Sequence, residues 1–465
     1  MSSDTAETAI ADRASELAAQ ARPAVPHGAA GIRERVGPER IVAVREVWRA
    51  LWTSRLLVWL AGAGTVATLG SGPVRHAFDP PGVTSGFGWL GDVLAAPVAR
   101  WDAAWYLVIA HYGYRPDLGA LTASRTAFFP LYPLGLRALS DVGLAPVLAG
   151  VSLSLAALAV GLYGLHRLTT LEATRLRLPA DGEVARLVVL LTAFAPMAFF
   201  FSAVYSESLY MALSVGVFLC ARRGNWAGTA ILAALASATR STGIVLMLPI
   251  AMLYLYGPRE DRPAELPLAR GLRPRYRPRR DALWIVLAPV GLGLYMAHLA
   301  LAGGSGLAPF HAEAVWSRHF AAPFGGVWDG AKAALDGLRQ LLSFQRGHVY
   351  YPAAGGSPFI DAGHNLLLFA FLLAAVSAMI GVLRLLPLAY GTYVLAALAL
   401  PLSYPVAPQP LMSLPRFLLV LFPLTMWLAV FLSSRPPVLK RAVLAGSGLA
   451  LAFFVGEFAT WHWVA

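Results

Sequence analysis

Residues 99–117 read ARWDAAWYLVIAHYGYRPD, and the aspartate near their start, Asp102, stands between two tryptophans in a chain that is otherwise mostly apolar. Trp101, Trp105, Val108 and Tyr112 recur at spacings of four, three and four. A helix through them carries one aromatic and apolar face, the pattern of an element lying in a membrane interface. Asp102 falls at the start of that helix and off that face. Two readings are open. A carboxylate at a helix start caps free N–H groups, with the tryptophans as interfacial anchors. A carboxylate held at a membrane surface is also the general base that takes a proton from an acceptor hydroxyl while a lipid-borne leaving group departs.

The surrounding composition sets the membrane context. Of 465 residues, 57% are hydrophobic and only 13% charged, with a mean hydropathy of +0.61, so the chain reads as a polytopic, all-α membrane protein. Basic residues exceed acidic ones by 12, and Lys332 and Lys440 are the only lysines. Such arginine bias, with abundant Ala, Gly and Pro, suggests GC-rich codons and a high-GC bacterial source. The arginines cluster in short loops beside apolar runs, where they set membrane orientation, and no nucleic-acid partner is expected. Cys220 is alone and lies inside an apolar run, so no intramolecular disulfide forms.

Residues 1–45 lack the apolar core of a signal peptide and read as a poorly ordered cytoplasmic tail; residues 46–465 form the transmembrane domain. A first span near 50–70 follows Arg45, Arg49 and Arg55, which places an external loop at 71–125 with Asp102 inside it. Further apolar runs predict spans near 187–203, 205–221, 282–303, 363–383, 386–403, 415–432 and 442–463. The run 226–256 is interrupted by ATRSTG (238–243) and is either two short helices or one long tilted one; 127–166 holds one crossing or a helical hairpin. Eight arginines against three acids make 257–280 a basic cytoplasmic loop, suited to anionic lipid headgroups. That assignment puts Glu207 and Arg240 near the outer face with Asp102, and a second external segment at 304–360. About 11 spans result.

Six motifs then occur in order: RWDAAWYLVIAHYGY (100–114), AFFPLYPLGLR (127–137), YSESLYMAL (205–213), ASATRSTG (236–243), FHAEAVWSR (310–318) and SLPRFLLVLFP (413–423). As an ordered set they resemble the PIG-V-type mannosyltransferases, and the chain looks like a bacterial member; the resemblance runs from about residue 50 to 432. It implies a GT-C glycosyltransferase fold in the plasma membrane, a catalytic first external loop facing outside, a polyprenyl-phosphate sugar donor, most often mannose, and inversion at the anomeric carbon. Asp102 matches the aspartate of the family's RWD motif.

Such a donor already carries an activated leaving group, so catalysis needs a base near the acceptor and positive charge near the departing phosphate. The sequence holds no DxD, HExxH, Cys and His set or P-loop, so no metal or other cofactor is expected, and arginine's fork of donors can serve the phosphate instead. Arg100, Arg240, Arg318 and Arg416 are the candidates for donor phosphate or sugar binding. Each has a plain alternative: Arg100 pairs with Asp102, Arg240 pairs with Glu207, Arg318 is a solvated loop charge, Arg416 snorkels from a span end. Glu207 either marks a polar turn or orients Arg240 and binds sugar hydroxyls. Phe128, Phe129 and Tyr132 read as an aromatic belt, or as sugar-stacking rings; Trp101, Trp105, Tyr205 and Trp316 complete an aromatic set at the cavity or interface. The competing function is a transporter or flippase of a lipid-linked sugar, whose charged site belongs near the midplane between related halves; no internal symmetry is visible. A transferase using another polyprenyl-phosphate sugar is the nearer alternative. The acceptor, a lipid, glycan or protein, is left open, and the external segments 71–125 and 304–360 are expected to shape its site.

Overall fold

The structure is a computed structural model describing residues 30–70, 78–115, 124–178, 181–264, 274–344, 357–406 and 409–464. Most of the expected N-terminal tail, the ends of the 71–125 loop, 265–273 of the basic loop and 345–356 of the second external segment lie outside the described residues. The chain divides into two units, residues 1–45 and Glu46–Ala465, and the helical bundle with the candidate site belongs to the second.

Among the described residues every regular element is helical, and strand-like pairing is confined to the isolated bridges Pro81–Ser85 and Arg318–Val406. Three helices are long and apolar enough to cross a bilayer: Pro146–Arg175, Phe359–Leu385 and Pro437–Ala459. The bent pair Arg280–Leu287 and Val290–Leu301, at 41°, makes a fourth if it is one span, and shorter apolar helices lie at Trp226–Ser237, Ser241–Tyr256, Leu388–Ser403 and Phe422–Ser433. The expected apolar runs therefore appear as helices, several of them broken.

The breaks follow from local chemistry. Helix Asp181–Ala193 stops before Pro196 and the chain continues through a short 3-10 turn at Ala198–Phe201, because proline disfavours helix in the residue before it and removes a donor. The run 226–256 takes the two-helix alternative: Trp226–Ser237 ends, Arg240 is extended (φ −154°, ψ 153°), and a 3-10 turn leads into Met247–Tyr256. Gly243 permits the sharp return, since a Cβ there would collide with the Ala236 carbonyl. Residues 127–166 hold one candidate span, Pro146–Arg175, with the short helix Leu131–Asp141 packed against it, so the single-crossing alternative fits and a hairpin with more crossings does not.

The aromatic-belt reading of AFFPLYP is overturned. Phe128 and Phe129 are buried and Tyr132 is fully so, with its hydroxyl on the Gly150 carbonyl (3.0 Å) and Ser154 Oγ (2.8 Å). A ring with its polar tip satisfied inside the bundle belongs to the core, which excludes both interfacial anchoring and sugar stacking for Tyr132.

Two polar clusters lie far apart along helix Pro146–Arg175. Near one end, Ser154 donates to the Ala203 carbonyl at 2.8 Å. Near the other, Glu172 accepts from Arg222 (2.6 Å), Arg175 (2.7 Å) and Tyr390 (2.9 Å). The helical rise separates Ser154 and Glu172 by about 27 Å, close to a hydrocarbon thickness of ~30 Å. Beside the Glu172 end the described part of the basic loop folds back: Arg259 sits over Trp226, Tyr254 and Tyr276 at 4.5, 4.8 and 5.1 Å and bonds Asp261 at 2.9 Å. The Arg259 guanidinium holds the Asp261 carboxyl below its usual value. This arginine is a clasp within the protein and does not reach for lipid.

Candidate active site

The Asp102 end is built by a turn. Trp101 adopts a left-handed φ of 56°, a conformation bulky residues rarely hold without support. Support comes from both sides. Tyr205 Oη accepts from Asp102 N (3.0 Å) and donates to the Arg100 carbonyl (3.1 Å), while Trp101 packs edge-on against Trp461 and Trp463, with centroids at 5.5 and 5.3 Å. Helix Ala103–Tyr112 follows, and Ala103, Ala104 and Tyr106–Ala110 are all buried. A single-faced interfacial element is not what forms; the helix is enclosed on most sides by the bundle.

Asp102 occupies the N-cap position but its carboxylate makes no capping bond, so the cap reading fails. Its Oδ2 instead accepts from Arg416 Nη1 at 2.6 Å. Arg416 Nε lies 3.4 Å from Glu207 Oε1, an ion-pair contact longer than a good hydrogen bond, and Arg240 Nη1 donates to the same oxygen at 2.7 Å. The result is an alternating row, Asp102–Arg416–Glu207–Arg240, of two carboxylates and two guanidiniums. Its side chains are 15%, 12%, 2% and 14% exposed, so the row is sheltered but reachable at Asp102 and at both arginines.

Phe417 ties a third arginine to this row. The Arg416, Arg240 and Arg318 guanidiniums lie 5.7, 5.6 and 5.7 Å from its ring centroid, within cation–π range. Arg318 is further fixed by the Tyr404 carbonyl (2.9 Å) and Glu313 (3.3 Å), which overturns its reading as a solvated loop charge. Arg416 does not snorkel, because it is drawn inward by two carboxylates. Glu207 opens helix Glu207–Arg222 and is buried, so it is no polar turn. Its second oxygen, Oε2, and Trp101 Nε1 are buried with no hydrogen-bond partner among the described residues.

Arg100 goes elsewhere. Its guanidinium lies 4.9 Å over the Trp461 ring with Nε on the Ala459 carbonyl (3.3 Å), and burial draws its pKa below the ordinary arginine value. It neither pairs with Asp102 nor joins the arginines at Phe417. Of the aromatic set, Trp105 stacks on Phe78 (4.4 Å) and meets Trp316 edge-on (6.4 Å), forming a wall beside the turn, while Tyr205 is a buried brace. Sequence reasoning did not single out Phe417, Trp461 or Trp463. Their neighbours in the fold come from remote parts of the chain, and apart from the SLPRF motif around Phe417 no local pattern marks them.

The described residues hold no group of three or more His, Cys, Asp or Glu able to share a metal ion. Chemically, the row offers a carboxylate at its accessible end and a cluster of guanidiniums suited to an oxyanion with several oxygens.

Comparison with known proteins points to the same segments. Residues 54–255 match the family model described as "Mannosyltransferase (PIG-V)". The chain is similar to GPI alpha-1,6-mannosyltransferase 2 of Rattus norvegicus, 31% identical over 186 residues, covering 37% of this chain and 36% of the relative. It is likewise similar to that of Homo sapiens, 30% identical over 215 residues, covering 43% of this chain and 41% of the relative. The matched region thus spans about two fifths of these curated relatives, and no solved structure matches. The match to the family model contains Asp102, Glu207 and Arg240, while Arg318, Arg416 and Phe417 lie beyond residue 255.

Proposed function

We propose that the chain is an integral membrane mannosyltransferase of the GT-C kind, with about 11 spans, that moves mannose from a polyprenyl-phosphate donor to a lipid, glycan or protein acceptor at the outer face of the membrane. The observation that carries the reading is the row Asp102–Arg416–Glu207–Arg240 with Arg318 across Phe417. A phosphate diester requires delocalised positive charge as its leaving oxygen gains an electron pair, and arginines held by aromatic faces and carboxylates are preorganised to give it.

In the resting arrangement Asp102 is engaged by Arg416, and that contact defines the order of events. An incoming donor phosphate competes for the Arg416 and Arg240 forks. As Arg416 turns to the phosphate, Asp102 is freed to accept the proton of an acceptor hydroxyl. The acceptor oxygen then forms its bond to the anomeric carbon from the face opposite the phosphate, the carbon–oxygen bond to phosphate breaks, and polyprenyl phosphate leaves with the electron pair, giving inversion. Glu207, only 2% exposed, holds the Arg416 and Arg240 guanidiniums in place. Arg100 takes no part; it holds the turn.

The test is transfer by purified protein in lipid, with radiolabelled polyprenyl-phosphate mannose, membrane acceptors and EDTA present. Wild type is expected to transfer mannose, and a folded Asp102→Asn variant to lose about 10²–10⁴-fold, the usual share of a general base. A variant as active as wild type removes Asp102 from catalysis.

A further inference from the structure

A cavity lies beside the extended stretch of backbone that carries Arg318 and His319. Arg318 bridges Val406, and His319 N donates to the Pro405 carbonyl at 3.4 Å. Successive side chains of an extended segment point to opposite faces. Arg318 accordingly points to Phe417 and the arginines, whereas His319 points into a cavity of about 400 Å³. Pro405, Val406 and Pro410 also line it. The volume is within the ~300–1,000 Å³ typical of ligand sites.

Helix Gly325–Ser343 makes one wall, and its three faces are distinct. Gly330 and Gly337 lie so close to Leu411 and the Ala362 carbonyl that a Cβ would approach them to 2.6 and 2.7 Å, which fixes the helix against the bundle. Trp328, Leu335 and Leu342, spaced by seven, are exposed and form an apolar strip suited to the membrane interface. Between these faces Asp329, Lys332, Asp336 and Gln340, spaced by three and four, line the cavity. Asp361 and Asn365 face them from helix Pro358–Leu385.

The lining specifies a ligand class. Asp329, Asp336 and Asp361 line the cavity against one cation, Lys332, which lies 3.7 Å from Asp329; Arg339, outside the lining, lies 3.0 Å from Asp336, so the cavity presents strong acceptors with a net negative charge, which suits paired hydroxyls and repels phosphate. Among the described residues its carboxylates form no group able to share a metal ion. We propose that this cavity is the acceptor subsite, binding the neutral, hydroxyl-rich sugar headgroup of a membrane-borne acceptor while its lipid rests along the Trp328 strip. The assignment of the bound sugar as the acceptor rests on the mannosyltransferase reading; the saccharide site itself does not.

The test uses the full chain in lipid nanodiscs, with methyl α-mannoside and an α-linked mannobiose as probes followed by saturation-transfer NMR, alongside transfer kinetics with membrane acceptors. Asp336→Ala and Gln340→Ala alter the open face of the helix, and their melting temperatures guard against misfolding. Each is expected to weaken mannobiose binding and raise the apparent acceptor KM about tenfold, the loss of one charged or paired hydrogen bond, with the donor KM within about twofold. Unchanged probe binding, no probe binding to wild type, or a donor KM that rises as far as the acceptor KM overturns the proposal. If wild type transfers no sugar yet both variants lose mannobiose, the saccharide site stands and the mannosyltransferase reading falls. If wild type transfers and the variants bind and transfer as it does, the reverse holds.

Discussion

Replacing Arg416 by alanine removes the cation from both carboxylates of the row at once, and the cost can be worked out from the geometry. With charge centres about 4 Å apart, an effective dielectric of ~20 gives ~4 kcal/mol of attraction. The Asp102 and Arg416 side chains are 15% and 12% exposed, so water recovers part of this, leaving a coupling of about 2–3 kcal/mol between them. Arg416→Ala alone should destabilise by about 3–4 kcal/mol, because Glu207 also loses its second cation and is left to Arg240. Asp102→Ala alone should cost about 3 kcal/mol. The double variant should then lose about 3–5 kcal/mol, well short of the sum. Equilibrium unfolding in mixed micelles of wild type, both single variants and the double variant gives the four values required. Losses that add to within about 0.5 kcal/mol would show that the two residues do not interact, and the release step built on their contact would fail with them.

Tyr205→Phe removes the hydroxyl that joins Asp102 N to the Arg100 carbonyl; stability should drop by about 1–3 kcal/mol and transfer by roughly tenfold as the turn loosens, read as melting and initial rate. Gly337→Val forces a side chain against the Ala362 carbonyl and should destabilise by about 1–3 kcal/mol, with a lowered melting temperature and faster proteolysis at helix Gly325–Ser343. Asp261 has a folded pKa below its ordinary value of 3.8, so its stabilisation is complete above that value and is lost as pH falls through the lower, folded value. Melting temperatures of wild type and Asp261→Asn should therefore differ at pH values about two units above the ordinary carboxylate range and converge in strong acid; a constant difference refutes the linkage.

The features visible in the sequence were those encoded locally. Apolar runs predicted helices, and ATRSTG flagged an interruption that fitted either two short helices or one long tilted one; the extended Arg240 between Ser237 and Met247 decides for two. Arg240 stood out because a charge in an apolar run needs a partner, with Glu207 as the candidate; in the fold that pair forms and Arg416 joins it. What could not be read was tertiary. Asp102 occupies a cap position, yet Arg416, 314 positions later, offers its carboxylate a stronger contact than backbone N–H groups would. AFFPLYP has the composition of an interfacial belt, and only the neighbouring helix Pro146–Arg175, through Gly150 and Ser154, turns Tyr132 into core. Arg100 lies two positions from Asp102 in sequence, but Trp461 draws it away.

The clasp on Trp101 has a consequence for the timing of assembly. The turn that aims Asp102 is closed by Ala459, Trp461 and Trp463, and Ala459 follows Arg100 by 359 positions. At ribosomal speeds of about 5–20 residues per second this interval is roughly 20–70 s. During that time the first half of the chain can insert and pack while the left-handed tryptophan has no aromatic partner to hold it. The turn that aims Asp102 is thus set only once Trp461 and Trp463 have been made, and a nascent chain arrested before Ala459 would be inserted and helical with that turn unclasped.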